Sequence, residues 1–157
     1  MNTSEIIQAC RNDLIDILAL QQKAFYTVAE QINKFDIPPL LQTYQDICSE
    51  NKETLILKYV SNNKIIGSVR GRIDENNICH IGKLIVHPNH QNKGIGKALM
   101  YEIEKHFILC DKYTLFTGIE TPNTLHLYSK IGYSIVDRKE VDYISMIVME
   151  KENTFKM

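Results

Sequence analysis

At 157 residues the chain suits one ordinary domain with a real hydrophobic core, and its 44% hydrophobic and 24% charged residues are the balance of a soluble globular protein. The 18 basic against 19 acidic side chains give a formal net charge of -1, and the absence of any basic block argues against a nucleic-acid partner. No apolar run approaches membrane-spanning length, the first residues lack the regions of a secretory signal, and Cys10, Cys48, Cys79 and Cys110 form no C-x-x-C pair; no membrane partner, no metal and no disulfide framework is expected, and a reducing cytoplasm fits.

Residues 4–10 read as a first short strand. From Asn12 or Asp13 the spacing predicts an amphipathic helix, with Leu14, Ile17, Leu18, Gln21, Phe25, Val28 and Ile32 near one face and Gln21 as its one polar interruption. Asp36-Ile37-Pro38-Pro39 must break it, because proline cannot continue a helix and restricts its predecessor. A second short helix is expected over residues 41–50.

The period then changes. Thr54–Val60 and Ile65–Ile73 read as strands around a tight turn at Ser61–Lys64, and Asp74–Asn77 is a further turn before a strand over Ile78–His87. These three segments form an antiparallel meander. After a loop at Pro88–Lys93 a helix runs from Gly94 to about Phe107, with Ile95, Leu99, Ile103 and Phe107 on one face. Tyr113–Ile119 is a strand that can lie parallel to Ile78–His87 through that helix. Thr121-Pro122 gives an N-cap and a proline at the first helical position, and Gly132 ends that helix. Strands around Tyr133–Arg138 and Tyr143–Met149 follow. The expected architecture is mixed α/β in a single domain: a mostly antiparallel sheet with about four helices and one β-α-β crossover.

The stretch from Gly82 to Leu99 is a strand, a turn and a glycine-bearing helix start. The first turn of a helix leaves backbone N–H groups unpaired at its positive dipole end. Gly94 and Gly96 remove side chains that would keep a phosphate from those amides, and Lys93 and Lys97 add positive charge. A P-loop would need a glycine at Gln91 and a hydroxyl residue at Ala98, and a dinucleotide fingerprint would need Gly or Ala at Leu99. A nucleotide-phosphate enzyme is therefore disfavoured.

What remains, Gln91-x-x-Gly94-x-Gly96 after a strand containing Leu84-Ile85-Val86, resembles the acyl-CoA signature of the GNAT superfamily of N-acetyltransferases. The order of elements and Leu127-Tyr128-Ser129-Lys130-Ile131-Gly132-Tyr133 carry the resemblance over nearly the whole chain. It implies that the backbones of Leu84, Ile85 and Val86 meet the acetyl and pantetheine portion of acetyl-CoA. It also implies that Gln91, Asn92, Lys93, Gly94, Ile95, Gly96 and Lys97 wrap the pyrophosphate. The strand before the loop splays from its neighbour in this family, and the pantetheine lies in the gap. Asn123 corresponds to a cofactor-contacting asparagine, two positions closer to the tyrosine than is usual.

Acetyl transfer to an amine needs a base for the amine, donors for the oxyanion and a proton for the departing thiolate. Tyr128 matches the family's tyrosine acid, and the surrounding match favours that role over a core aromatic on one face with Leu125 and Ile131. His80 stands where some members carry a glutamate base, and could instead be a half-buried strand residue. Glu120 is the second candidate, and the family also manages with water chains. His87 and His90 flank a proline turn and are a weak metal signal. Tyr26, Glu30, Asp36 and Tyr44 lie in the segment that shapes the family's acceptor pocket. The implied function is acetyl transfer from acetyl-CoA to a primary amine on a small molecule or peptide, by direct attack in a ternary complex, with a homodimer as the candidate assembly. The competing reading is a non-catalytic acyl-CoA-binding module.

Overall fold

The computed structural model describes residues 3–118, 122–141 and 143–156, without the side chains of Pro122, Asn123, Val141 and Lys156. Seven strands form one sheet. Strands β1 (Ser4–Gln8), β2 (Leu55–Ser61), β3 (Lys64–Ile73) and β4 (Ile78–Val86) make its first half, each antiparallel to the next. Asn62 and Asn63 adopt φ of 51° and 65° in the β2–β3 turn, the left-handed geometry that suits a two-residue hairpin between twisted strands. The β3–β4 turn is organised by the Asp74 carboxylate, which accepts from the Asn76 and Ile78 amides at 2.8 and 3.0 Å.

Helix α1 (Leu14–Ile32) follows a 3₁₀ turn at Arg11–Asp13. It stops at Asn33, whose φ of 52° lets the Lys34 N–H reach back to the Ala29 carbonyl. Pro38 and Pro39 therefore do not end α1; they open a separate short helix, α2 (Pro38–Leu41), where a missing N–H costs nothing. The single helix expected over 41–50 is also corrected. Gln42 is extended, with ψ of 131°, and α3 (Tyr44–Glu50) begins afresh from Thr43. There Thr43 and Asp46 exchange side-chain-to-amide bonds of 3.1 and 2.9 Å in a capping box.

Helix α4 (Ile95–His106) connects β4 to β5 (Lys112–Gly118), and those two strands are parallel. Helix α5 (Pro122–Lys130) leads through Gly132, at φ of 109°, to the hairpin of β6 (Ser134–Val141) and β7 (Ile144–Glu152). The sheet order is β1-β2-β3-β4-β5-β7-β6, so the last strand inserts beside β5 and leaves β6 at the edge.

Two cores lie on opposite faces. Leu99, Met100 and Ile103 of α4 pack with Val69, Ile81, Tyr113, Leu115, Tyr128 and Met149 on one face. Leu14, Ile17 and Leu20 of α1 pack with Ile47, Ile56 and Ile85 on the other. Helix α4 sits close because Gly67 and Gly71 present no side chain to it; a Cβ there would come within 2.9 Å of Leu99 and 2.8 Å of Phe107.

Candidate active site

Strand β4 carries one extra residue relative to β3. Arg70 pairs with Gly82, but Ser68 pairs with Ile85, so Lys83 and Leu84 together oppose Val69. Lys83 absorbs this bulge with φ of 44°. The bulge reverses the alternation. Cys79 and Ile81 face the α4 core before it, whereas Leu84 and Val86 do so after it and Ile85 joins the α1 core. The Lys83 side chain is thereby sent to the α3 side, where its Nζ lies 3.3 Å from Glu50 Oε1.

The same stretch of β4 parts from β5. Among the described residues the two strands pair only through Ile78–His80 with Lys112–Thr114, although they run on to Val86 and Gly118. A widening gap therefore lies beside Leu84, Ile85 and Val86. At its mouth the chain turns through Pro88–His90 and two left-handed residues, Asn92 (φ 63°) and Gly94 (φ 81°). The first intrahelical bond of α4 runs from the Ala98 N–H to the Gly94 carbonyl at 3.1 Å. The amides of Ile95, Gly96 and Lys97 thus have no partner within the helix, the condition an anion site requires. No atom beyond the chain neighbours lies within 4 Å of a Cβ built on Gly94, so its approach side is open. Gly96 has a second role, since a Cβ there would come 3.2 Å from Leu127 of α5. The side chains of Ile85 and Ile95 are buried in the cores, which leaves only their backbones for a ligand. Gln91 is exposed, and its Nε2 lies 3.4 Å from the Val86 carbonyl.

Tyr128 is 6% exposed and sits in the core under α4. Its ring is tilted against Tyr133 at 6.0 Å between centroids. Tyr133 is fixed in turn, donating to Glu104 Oε2 at 2.9 Å, while Lys151 donates to Oε1 of the same buried carboxylate at 2.8 Å. The Tyr128 hydroxyl has no hydrogen-bond partner among the described residues. Burial pushes this phenol well above the usual tyrosine range, so it stays protonated at neutral pH. Core packing is therefore present, and the hydroxyl keeps its proton at neutral pH.

His80 marks the apex of the gap, in the last β4–β5 pair, opposite Thr114. Its Nε2 lies 2.7 Å from Asp74 Oδ2, and that hydrogen bond, with those from the Ile78 and Asn76 amides, holds the Asp74 carboxyl below its usual range. Glu120, the side chain of Asn123 and the expected N-cap Thr121 lie outside the described residues. His87 uses Nδ1 to accept from the Asn89 amide at 3.1 Å, which makes it a turn residue. No group of three or more His, Cys, Asp or Glu is placed to hold a metal among the described residues.

Sequence reasoning missed the wall beside the bulge. Gln21, read as an interruption of the α1 stripe, is fully buried: it accepts from Arg70 and donates to the Pro39 carbonyl and to Gln42 Oε1, both at 2.9 Å. Arg70 also donates to Glu50 at 2.6 Å, and Gln42 to the same carboxylate at 2.9 Å. Burial opposes ionisation of Glu50, but Arg70, Gln42 and Lys83 outweigh it and hold the carboxyl below its ordinary value. Burial depresses the Lys83 ammonium. This network backs a pocket of about 520 Å³ whose lining includes Lys34, Asp36, Leu41, Asp46, Lys83 and Tyr143. Of the four residues singled out by resemblance for that region, Asp36 lines the pocket.

A parted β4–β5 pair, a bulge and an amide-lined helix start define a class, and the comparisons agree with it. The Acetyltransferase (GNAT) family pattern matches residues 14–133, and the chain belongs to that family. It is similar to the UPF0157 protein YqkA of Bacillus subtilis, 30% identical over 120 residues, which are 75% of this chain and 34% of that one. The chain spans between 30% and 45% of the length of the curated relatives it matches. Its fold is similar to that of the PaiA N-acetyltransferase of Thermoplasma acidophilum, solved with coenzyme A, at a TM-score of 0.80, 18% identity and coverage of 96% and 99% of the two chains. The ribosomal-protein-S18-alanine N-acetyltransferase of Escherichia coli superposes at 0.78, with 17% identity and coverage of 98% and 94%. No helix among the described residues is long and apolar enough to cross a membrane.

Proposed function

We propose that residues 1–157 act as one N-acetyltransferase domain that moves the acetyl group of acetyl-CoA to a primary amine by direct attack in a ternary complex. The observation that carries this reading is the gap between β4 and β5, opening beside the amides of Ile95, Gly96 and Lys97. Acetyl-CoA supplies an acyl group activated as a thioester. The loop from Gln91 to Lys97 holds the pyrophosphate by backbone N–H groups, with Lys93 and Lys97 adding charge. The Leu84–Val86 backbone, and Asn123 at the start of α5, hold the pantetheine side. His80, its Nε2–H donated to Asp74, takes the amine proton on Nδ1. Tyr128 gives its proton to the leaving sulfur.

The PaiA and S18-alanine relatives are named N-acetyltransferases, which supports the reaction class. The Tyr128 hydroxyl, without a hydrogen-bond partner among the described residues, favours an enzyme over a module that only binds acyl-CoA. Four free cysteines support a cytoplasmic setting, and the outer edge of β6, where Ile135 and Val136 are exposed, supports a homodimer. The test is CoA-thiol release with a panel of amines, together with calorimetry of CoA binding to wild type and Gly94→Glu. Gly94→Glu sets a strained backbone and a negative charge against the pyrophosphate, so binding should be lost while the fold persists. Unchanged affinity in the folded variant would place the cofactor elsewhere.

A further inference from the structure

We propose that Lys83 selects the acceptor by receiving a carboxylate carried beside the acceptor's amine, so that the preferred acceptors are free α-amino acids rather than polyamines. The inference rests on the acetyltransferase reading. Its first support is positional. The bulge takes Lys83 out of the α4 face and into the wall of the pocket, one residue before the Leu84–Val86 backbone.

The second support is the state of each charge in that wall. Lys34 holds Asp36 at 2.8 Å, both in the lining. Asp46 accepts from the Thr43 amide at 2.9 Å. Glu50 is held by Arg70 at 2.6 Å and by Gln42 at 2.9 Å. Among the described residues the hydrogen bonds of Lys83 are two long ones of 3.3 and 3.4 Å, both to that same Glu50 carboxylate, with Asp46 attracting it from further off. Two cations share one acid, and the cation facing the pocket has the weaker share. An ammonium carries three donors, so an incoming carboxylate can take one without displacing Glu50.

The third support is the mix of signs. Lys34 and Lys83 face the pocket beside Asp36 and Asp46. A chain of ammonium groups is attracted by the two acids but repelled by the two cations, and Lys83 offers it nothing. A zwitterion meets both signs, with Asp46 at hand to attract its ammonium and Lys83 to seat its carboxylate. In an α-amino acid the nitrogen and the carboxylate are joined through a single carbon. Seating the carboxylate on Lys83 therefore keeps the amine close to the neighbouring Leu84–Val86 segment.

The test compares kcat/KM for free amino acids, their amides and spermidine, read by CoA-thiol release at saturating acetyl-CoA. Wild type should favour the best acid over its amide by about tenfold or more, the scale of losing a charge-assisted hydrogen bond at a partly buried site. Lys83→Met should raise KM for the acid and collapse that ratio towards unity. Lys83→Arg should restore much of it. Calorimetry should give both variants the CoA affinity of wild type within about twofold, since the residue faces the acceptor. Equal use of acid and amide by wild type, or a preference for spermidine, overturns the role of Lys83, and this comparison needs no variant to fold. Loss of the ratio with equal loss of CoA affinity in Lys83→Met also overturns it. Failure of wild type to bind CoA, or to release thiol with any amine, overturns the acetyltransferase reading instead.

Discussion

At the scale of single residues, the proposed chemistry rests on two side chains, each held by its neighbours. Tyr128 is fixed by packing against Tyr133, which the buried Glu104 anchors. Its raised pKa keeps the proton in place through neutral and mildly alkaline pH, so deprotonation of this phenol should cause no fall in rate below about pH 10. Tyr128→Phe keeps the ring and the core and removes only the hydroxyl. Turnover should drop about 10- to 1,000-fold, the range for losing a general acid, with CoA affinity retained. Equal single-turnover rates in the two proteins would reduce Tyr128 to a packing residue. His80 is held differently. Asp74 fixes which ring nitrogen carries hydrogen, leaving Nδ1 as the basic one. His80→Gln keeps a polar strand residue while removing the basic nitrogen, so turnover on one acceptor at saturating acetyl-CoA should fall with CoA affinity retained. If both proteins turn over at similar rates, His80 serves only to strap the β3–β4 turn.

At the scale of elements, the strands and long helices were legible because their signals are local. The 2-residue period of β2 to β4, the asparagine turn and the Gly94 helix start each reside in a short run of residues. The α1–α3 region was less legible, since Asn33 as a left-handed cap and Thr43 with Asp46 as a capping box compete with the louder signal of two prolines. The bulge was not legible at all. A lysine at positive φ carries no glycine or asparagine marker, and the extra residue exists only relative to the register with β3. Gln21 failed for a related reason: its partner Arg70 is 49 residues away, and nothing in the helix period reports a distant guanidinium. The candidate site was accordingly half visible. The proposed cofactor loop could be singled out from its amides and glycines, while the pocket wall built from Lys83 and the Arg70–Glu50 network needed the fold.

At the scale of the molecule, the sheet is two half-sheets joined on one face. The α4 core draws residues from both halves, Val69 and Ile81 from one and Leu115 and Met149 from the other. The α1 core draws only on the first half, and Phe116 of β5 is 55% exposed. Beyond His80 the halves therefore have no ladder between β4 and β5, and their contact depends on packing from the α4 side. A ligand seated in the gap bridges them, and its binding energy adds to the stability of the folded chain. With CoA at about 100 times its Kd the gain is about 2.7 kcal/mol, and at about 2–4 °C per kcal/mol for a chain of this size Tm should rise by roughly 5–10 °C. The location of the effect is the sharper expectation. Amide hydrogen exchange should slow in residues 83–86 and 92–97, the edge and mouth of the gap, and change little in β1 and the first turns of α1. A Tm that stays fixed at saturating CoA, or protection confined to β1 and α1, would show that the ligand does not occupy the space between β4 and β5.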